Sequence, residues 1–273
     1  MRNRTPSTVV LLVLAGGFFG CSKAPSSPTA PSVPTTAGPT PPRPNGTSVA
    51  RGTVFDTAFR WLAGATVEVL DGPQAGMSTI TGPTGDFSLV GNFDDATRFR
   101  ATRDGHIAAI QIGGEHWMTY YLAVPAPPVN IAGEYSITFT SAPCVNLPSE
   151  LQTRTYQATV APGSYEAIPA NMVFNLALGG AEVLENPSIG VAGEVVGFKL
   201  FNDGYPYIVE PVATNVYIAV TGWAEVSSWP TRGLTITVPF EGWVEYWDAH
   251  PRSGRGPRVS CQSKDHRLTL KRR

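Results

Sequence analysis

Ala65-Thr66-Val67-Glu68-Val69-Leu70-Asp71-Gly72-Pro73 is the stretch on which the fold turns. Ala65, Val67 and Val69 alternate with Thr66, Glu68 and Leu70, and a period of two places one set on each face of a strand. Asp71-Gly72-Pro73 then stops the strand, with Gly supplying positive φ and Pro fixing its own. The same unit recurs outward along the chain. Phe87 and Leu89, Phe99 and Ala101, Ile110 and Ile112, then Met118, Tyr120 and Leu122 keep the period. Gly82-Pro83-Thr84-Gly85-Asp86, Arg103-Asp104-Gly105 and Gly113-Gly114 punctuate it. Short strands with a turn every eight to twelve residues predict a β-sandwich, here of seven strands over residues 48–124.

Pro125-Ala126-Pro127-Pro128 ends that unit, and a second runs over 129–273. Tyr135, Ile137 and Phe139 alternate with Ser136, Thr138 and Thr140. Tyr156, Ala158 and Val160 follow, as do Met172, Phe174, Leu176 and Leu178. Val196, Phe198 and Leu200 come next, then Val216, Ile218 and Val220, a long strand from Leu234 to Trp247, and a last one from His266 to Leu270. With a short strand near Val183 the count is about eight, and no helix pattern interrupts them. One-sided alternation in series suits an antiparallel β-barrel or a curved sandwich. The chain is therefore expected to be all-β. Phe139, Phe174 and Phe198 point to a filled interior.

The stretch from Arg51 to Pro73, followed by Ser78–Gly91 and Phe99–His106, resembles a carboxypeptidase regulatory-like domain. Gly52, Val54, Leu62, Gly64, Ala65, Val67, Thr81, Gly85 and Phe87 match the family's motif, with Trp61 where the family usually has Pro. The resemblance implies a transthyretin-like sandwich, grouped with carbohydrate-binding-like folds. It implies no peptidase chemistry. Gly85 is expected where a Cβ would clash, and Phe87 in the core. The second unit resembles lipocalin-like barrels by architecture alone, since it has no Gly-x-Trp signature near its first strand.

The chain begins with Arg2 and Arg4, then an apolar run from Val9 to Phe19, and Cys21 follows Phe18-Phe19-Gly20. That run is shorter than the roughly 20 residues a spanning helix needs. A basic start, a short apolar core and small residues describe a cleavable signal over residues 1–20. Its end resembles the lipobox of bacterial lipoproteins, which implies a lipidated Cys21, membrane attachment and export to the cell envelope. The other reading is an ordinary signal with an incidental cysteine. Ser22, in place of Asp, is compatible by resemblance with outer-membrane sorting. Residues 21–47 hold eight prolines among Ser, Thr and Ala, an extended linker that cannot bury a core. Its reach is on the order of 80 Å at about 3.1 Å per residue.

With Cys21 lipidated, Cys144 and Cys261 remain. An exported pair is expected to be bridged, the alternative being two separate thiols. In a closed barrel of even strand count, first and last strands are antiparallel neighbours. Cys144, just past the first, then meets Cys261, just before the last.

Composition excludes some classes. Removing residues 1–20 takes two of the 20 basic residues and none of the 21 acidic ones, leaving a net charge of −3. That is not the basic surface of a nucleic-acid binder. No CxxC or HExxH spacing offers a zinc site, and no Gly-x-Ser-x-Gly elbow, Walker loop or dinucleotide fingerprint is present. No cofactor is expected. Asp248 with His250, or Asp265 with His266, could serve a Ser253 or Ser260 nucleophile, but a loop position explains both pairs. Asp94-Asp95 and Thr97 lack a Ca²⁺ ligand ladder and read as a polar turn.

The aromatic residues carry the binding expectation. Trp243, Glu245 and Trp247 share one face of the long strand, and Trp223 and Glu225 share a comparable face one hairpin earlier. Rings beside carboxylates suit a sugar, whose flat face stacks and whose hydroxyls donate. The alternative is that these tryptophans pack between the domains or inside the barrel. The expectation is a non-enzymatic anchored protein binding carbohydrate or a small ligand, or else an envelope assembly protein docking a protein partner.

Overall fold

The computed structural model describes residues 48–113, 117–201, 206–230 and 235–273. The leader, Cys21 and the linker lie outside the described residues. Among those residues the chain is all β, apart from two short 3-10 turns at Ser149–Leu151 and Pro251–Ser253.

The sandwich holds the seven expected strands: β1 (Ser48–Asp56), β2 (Thr66–Val69), β3 (Ser78–Ile80), β4 (Asp86–Gly91), β5 (Arg98–Thr102), β6 (Ala109–Ile112) and β7 (Trp117–Leu122). One sheet runs β4-β1-β7 and the other β3-β2-β5-β6. Val54, Leu62, Val67, Phe87, Phe99 and Tyr120 fill the space between them. Gly85 has a φ of 72°, and a Cβ there would meet Val54 O, so the position requires Gly. Thr81 Oγ1 accepts from Ala65 N at 2.9 Å and donates to Leu62 O at 2.5 Å, which pins the β1–β2 connection to the strand edge. Strand β6 departs from expectation. Ile110 and Ile112 face outward, the latter 67 % exposed, while Ala109 packs on the core. The cause is an edge position: Gln111 Nε2 donates to Thr119 O at 2.6 Å, so the polar residue is the one turned toward β7.

The second unit is built from β8 (Gly133–Thr140), β9 (Thr153–Pro162), β10 (Val173–Leu178), β11 (Glu182–Val183), β12 (Ile189–Ala192), β13 (Val195–Leu200), β14 (Ile208–Ala213), β15 (Val216–Val226), β16 (Thr235–Trp247) and β17 (Val259–Arg272). Eight of these close a barrel in the order β8-β9-β10-β12-β13-β15-β16-β17, and β17 pairs back to β8. All eight pairings are antiparallel. The eighth stave is β12, not the short strand at Val183. That strand, β11, lies outside the barrel and pairs with β14. The interior is filled, as Phe139, Phe174 and Phe198 suggested. Phe139 and Phe240 meet edge to face at 5.4 Å near its centre.

Cys144 and Cys261 form a disulfide with Cα atoms 6.0 Å apart. Cys261 is the third residue of β17, because that strand begins earlier than its apolar alternation indicated. His266 braces the same seam from within. Ala142 N donates to its Nδ1 at 2.9 Å, which leaves Nε2 carrying the proton, and Nε2 donates to Cys261 O at 3.0 Å. Both ring nitrogens are taken, so His266 has none left to act as a base.

Burial holds the His266 pKa below its ordinary value. Above about pH 6.5 the imidazole is neutral in both folded and unfolded chains, and its contribution is fully present. As pH falls below that, the unfolded chain takes the proton first, and stability declines until the folded imidazole also titrates. Urea midpoints at pH 7.5 and 5.5 should therefore differ for the wild type, with the lower pH less stable. The difference should shrink in His266→Gln; an equal pH dependence in the two proteins counts against this account. Glu245, whose pKa burial raises, acts in the opposite sense and at lower pH, so the comparison between the two proteins isolates His266.

Sandwich and barrel belong to one compact unit. The turn after β1 lies on the outer wall of β12 and β13, where Gly190 pairs with Gly197. A Cβ on Gly190 would meet Thr57 O, and one on Gly197 would meet Ala58 O. Thr57 Oγ1 donates to Val191 O at 2.7 Å. Asp56, fully buried, accepts from Ala58 N and Arg60 N and pairs with the Arg60 guanidinium at 2.6 Å, which fixes the turn.

Candidate functional site

The outer face of the barrel wall at β15–β17 carries all five residues of the predicted binding set. On β16, Phe240 and Val244 point into the core, so Trp243, Glu245 and Trp247 point out. On β15, Ile218, Val220 and Ala224 point in, so Trp223 and Glu225 point out. Register sets Trp243 opposite Thr221 on β15 and Gln262 on β17, and Glu245 opposite Ser260.

The five do not share one environment. Trp243 is 39 % exposed and presents its ring to solvent. Trp247 is buried, packed with Val209, Ala219 and Tyr217 where β14 lies beside β15. Trp223 lies across Gly197 and joins a cluster with Phe59, Tyr121, Ile168 and Val173 between sandwich and barrel. Glu225 stands 3.9 Å from the Arg60 guanidinium of the sandwich turn. For Trp223 and Glu225 the packing between domains is what the structure shows.

Around Trp243 the polar groups are held in place. Glu245 accepts from Ser260 Oγ at 3.0 Å and from Trp247 Nε1 at 3.2 Å, and burial raises its pKa. Glu241, two residues before Trp243, pairs with Lys264 at 3.2 Å. The register shift between Phe240 and Gly242 brings Lys264 and Asp265 into a bulge there. The face continues past Trp247 to a recess of about 380 Å³ lined by Glu182, Tyr217 and His250. His250 meets Tyr217 edge to face at 5.2 Å, and Glu182 lies 3.6 Å from His250 and 3.4 Å from Arg252. From Trp243 to Trp247 the strand advances roughly 13 Å, at about 3.3 Å per residue. Sequence reasoning missed Thr221, Gln262, Ser260 and Lys264 as parts of this face. They lie on other strands, and only the register aligns them.

Asp265 and His266 lie within strand β17 rather than in a loop, and both ring nitrogens of His266 are bonded to backbone groups. Asp248 pairs with Arg258 at 2.7 Å, and His250 turns to Glu182. Asp94 closes a polar turn as expected, accepting from Ala96 N and Thr97 Oγ1. Among the described residues no group of three or more His, Cys, Asp or Glu could hold a metal ion. No helix among them is long and apolar enough to cross a membrane. No protein-family profile matches the chain, and no curated protein matches it either.

Proposed function

We propose that this chain is a lipid-anchored, exported, non-enzymatic protein that binds carbohydrate along the outer face of β15–β17. The observation that carries the reading is Trp243: a solvent-facing ring flanked on its own strand by Glu241 and Glu245, and across the ladder by Thr221 and Gln262. A ring of that kind covers the CH face of a sugar, and the carboxylates and amide take its hydroxyls. The filled barrel interior leaves the outer wall as the place for a ligand. The span from Trp243 to the Tyr217–His250 recess suits a chain of several sugar units rather than one. The carboxypeptidase regulatory-like reading of the sandwich is supported by Thr81 and Gly85, whose roles are structural. The anchor rests on the basic, apolar and Cys21 pattern of the leader.

Tryptophan emission during titration with a panel of oligosaccharides tests the site. Trp243→Ala should bind about tenfold more weakly, the scale of one lost ring contact of about 1.5 kcal/mol, with its melting temperature little changed. Silence of the wild type toward every glycan removes the reading. Mass spectrometry of the mature protein should find acylated Cys21 as the first residue.

One observation favours assembly as a second reading. Among the described residues strand β6 pairs on one side only, and it exposes Ile110 and Ile112, an edge a partner strand can extend. Pulldown from envelope extracts that is lost in Ile112→Lys would support it.

A further inference from the structure

A second concave site lies where the sandwich turn meets the barrel, with none of the five predicted residues in its lining. It is a pocket of about 100 Å³ lined by Phe59, Tyr121, Tyr165, Lys199, Phe201 and Tyr207, among others. That volume is of the order that holds a single six-membered ring. Its walls are aromatic. Tyr121 meets Phe59 edge to face at 6.1 Å and Tyr165 at 5.5 Å. Tyr207 is held by Ser188 Oγ at 3.1 Å and donates to Glu185 O.

One positive charge stands in this wall. Lys199 Nζ lies 5.8 Å from the Phe59 ring centroid and 5.4 Å from that of Phe201. Among the described residues it has no carboxylate within ion-pair distance, unlike Arg154 and Lys264 elsewhere on the barrel wall. The rings hold the ammonium but leave its hydrogen-bond donors uncommitted.

Phe59 adds an independent sign that the wall is built. Its φ is 63°, a left-handed conformation that costs a bulky residue energy and persists only where surrounding contacts enforce it. Those contacts are the buried Asp56 clamp and the Gly190–Gly197 platform. The turn spends that strain on placing an aromatic ring beside Lys199.

We propose that this pocket binds a small ring-bearing monoanion, with a carboxylate on Lys199 and the ring enclosed by Phe59, Tyr121, Tyr165 and Phe201. Lys199 is the one cationic side chain in the described lining, which suits one negative charge on the ligand over two. Aromatic carboxylates and sugar acids share this chemistry.

Calorimetric titration of the full chain with benzoate and with glucuronate, against neutral benzyl alcohol and glucose, tests the proposal. At least one anion should bind, and its neutral counterpart should bind at least about tenfold more weakly, the scale of one charge-assisted hydrogen bond. Benzoate alone identifies the aromatic source, and glucuronate alone the sugar source. Lys199→Met should lose the preference for the anion, and Lys199→Arg, which restores the charge should Met disturb the wall, should keep it. Two results overturn the proposal: neither anion binding the wild type, or the preference surviving in Lys199→Met. Both are distinguishable from failure of the Trp243 face, whose readout is oligosaccharide binding.

Discussion

Replacing both Cys144 and Cys261 by Ser should lower the unfolding free energy by about 2–5 kcal/mol. The bridge closes a loop across a sequence separation of 117 residues, which takes in six of the eight barrel strands. In the chain-entropy account a loop of about 100 residues contributes about 4.7 kcal/mol by restricting the unfolded chain, and native strain reduces that figure. Position adds a local effect. β17 pairs with β8 from Arg267 to Arg272, but its first residues, including Cys261, pair with β16 alone. The disulfide and the His266 contacts are what tie that end of β17 to the chain leaving β8. Hydrogen exchange should therefore accelerate first at Leu268 and Thr269 and at their β8 partners, before the sandwich responds. Urea midpoints under non-reducing conditions measure the global loss. An unchanged midpoint would show that hydrogen bonding closes the barrel without help.

Gly197→Val should separate what now melts together. The new side chain would occupy the space of Ala58 O and of the Trp223 ring, and the carbonyl belongs to a turn that Asp56 and Arg60 hold rigid. Overpacking of this kind costs roughly 1–3 kcal/mol where neighbours can shift. Here the cheaper response is for the turn to lift off β12 and β13. That breaks the Thr57–Val191 hydrogen bond and uncovers Trp223. Calorimetry of the wild type should show one transition, and Gly197→Val two, the lower of them accompanied by a red shift of tryptophan emission. Gly256→Val is the control, since a Cβ there meets nothing within 4 Å. A single transition in both variants would show that the seam does not couple the domains.

That seam also explains which strands the sequence concealed. Wherever one face of a strand met core and the other met water, the period of two was plain, as in β8, β9 and β10. In β12 all four residues are buried: Ile189 and Val191 by the barrel interior, Gly190 by the sandwich turn. With both faces covered there is no alternation to read. Strand β14 hides for a related reason. Ile208 enters the barrel core while Val209 packs with Trp247 on the outside, and Pro211 looks like a break. In β6 the alternation was visible but its polarity was not, because the side-chain amide of Gln111 answers a carbonyl on another strand. The candidate face was legible along β16, where Trp243, Glu245 and Trp247 share a side. Its division into an exposed ring, a buried ring and a domain contact depends on β14 and the sandwich turn, elements far away in sequence. The Lys199 pocket gave no sequence signal at all, since its walls come from both domains.

The placement of β1 has a mechanical consequence. Its first residue, Ser48, is fastened by its hydroxyl to Gly91 O and Phe93 N, and its last, Asp56, enters the turn seated on the barrel. Between them it runs between β4 and β7 in the middle of its sheet. A pull transmitted through the residues preceding Ser48 therefore loads two ladders of hydrogen bonds in shear, all at once, instead of peeling them singly. The load then passes lengthwise down one strand into the barrel wall, so the sandwich works as a stiff coupling rather than a hinge.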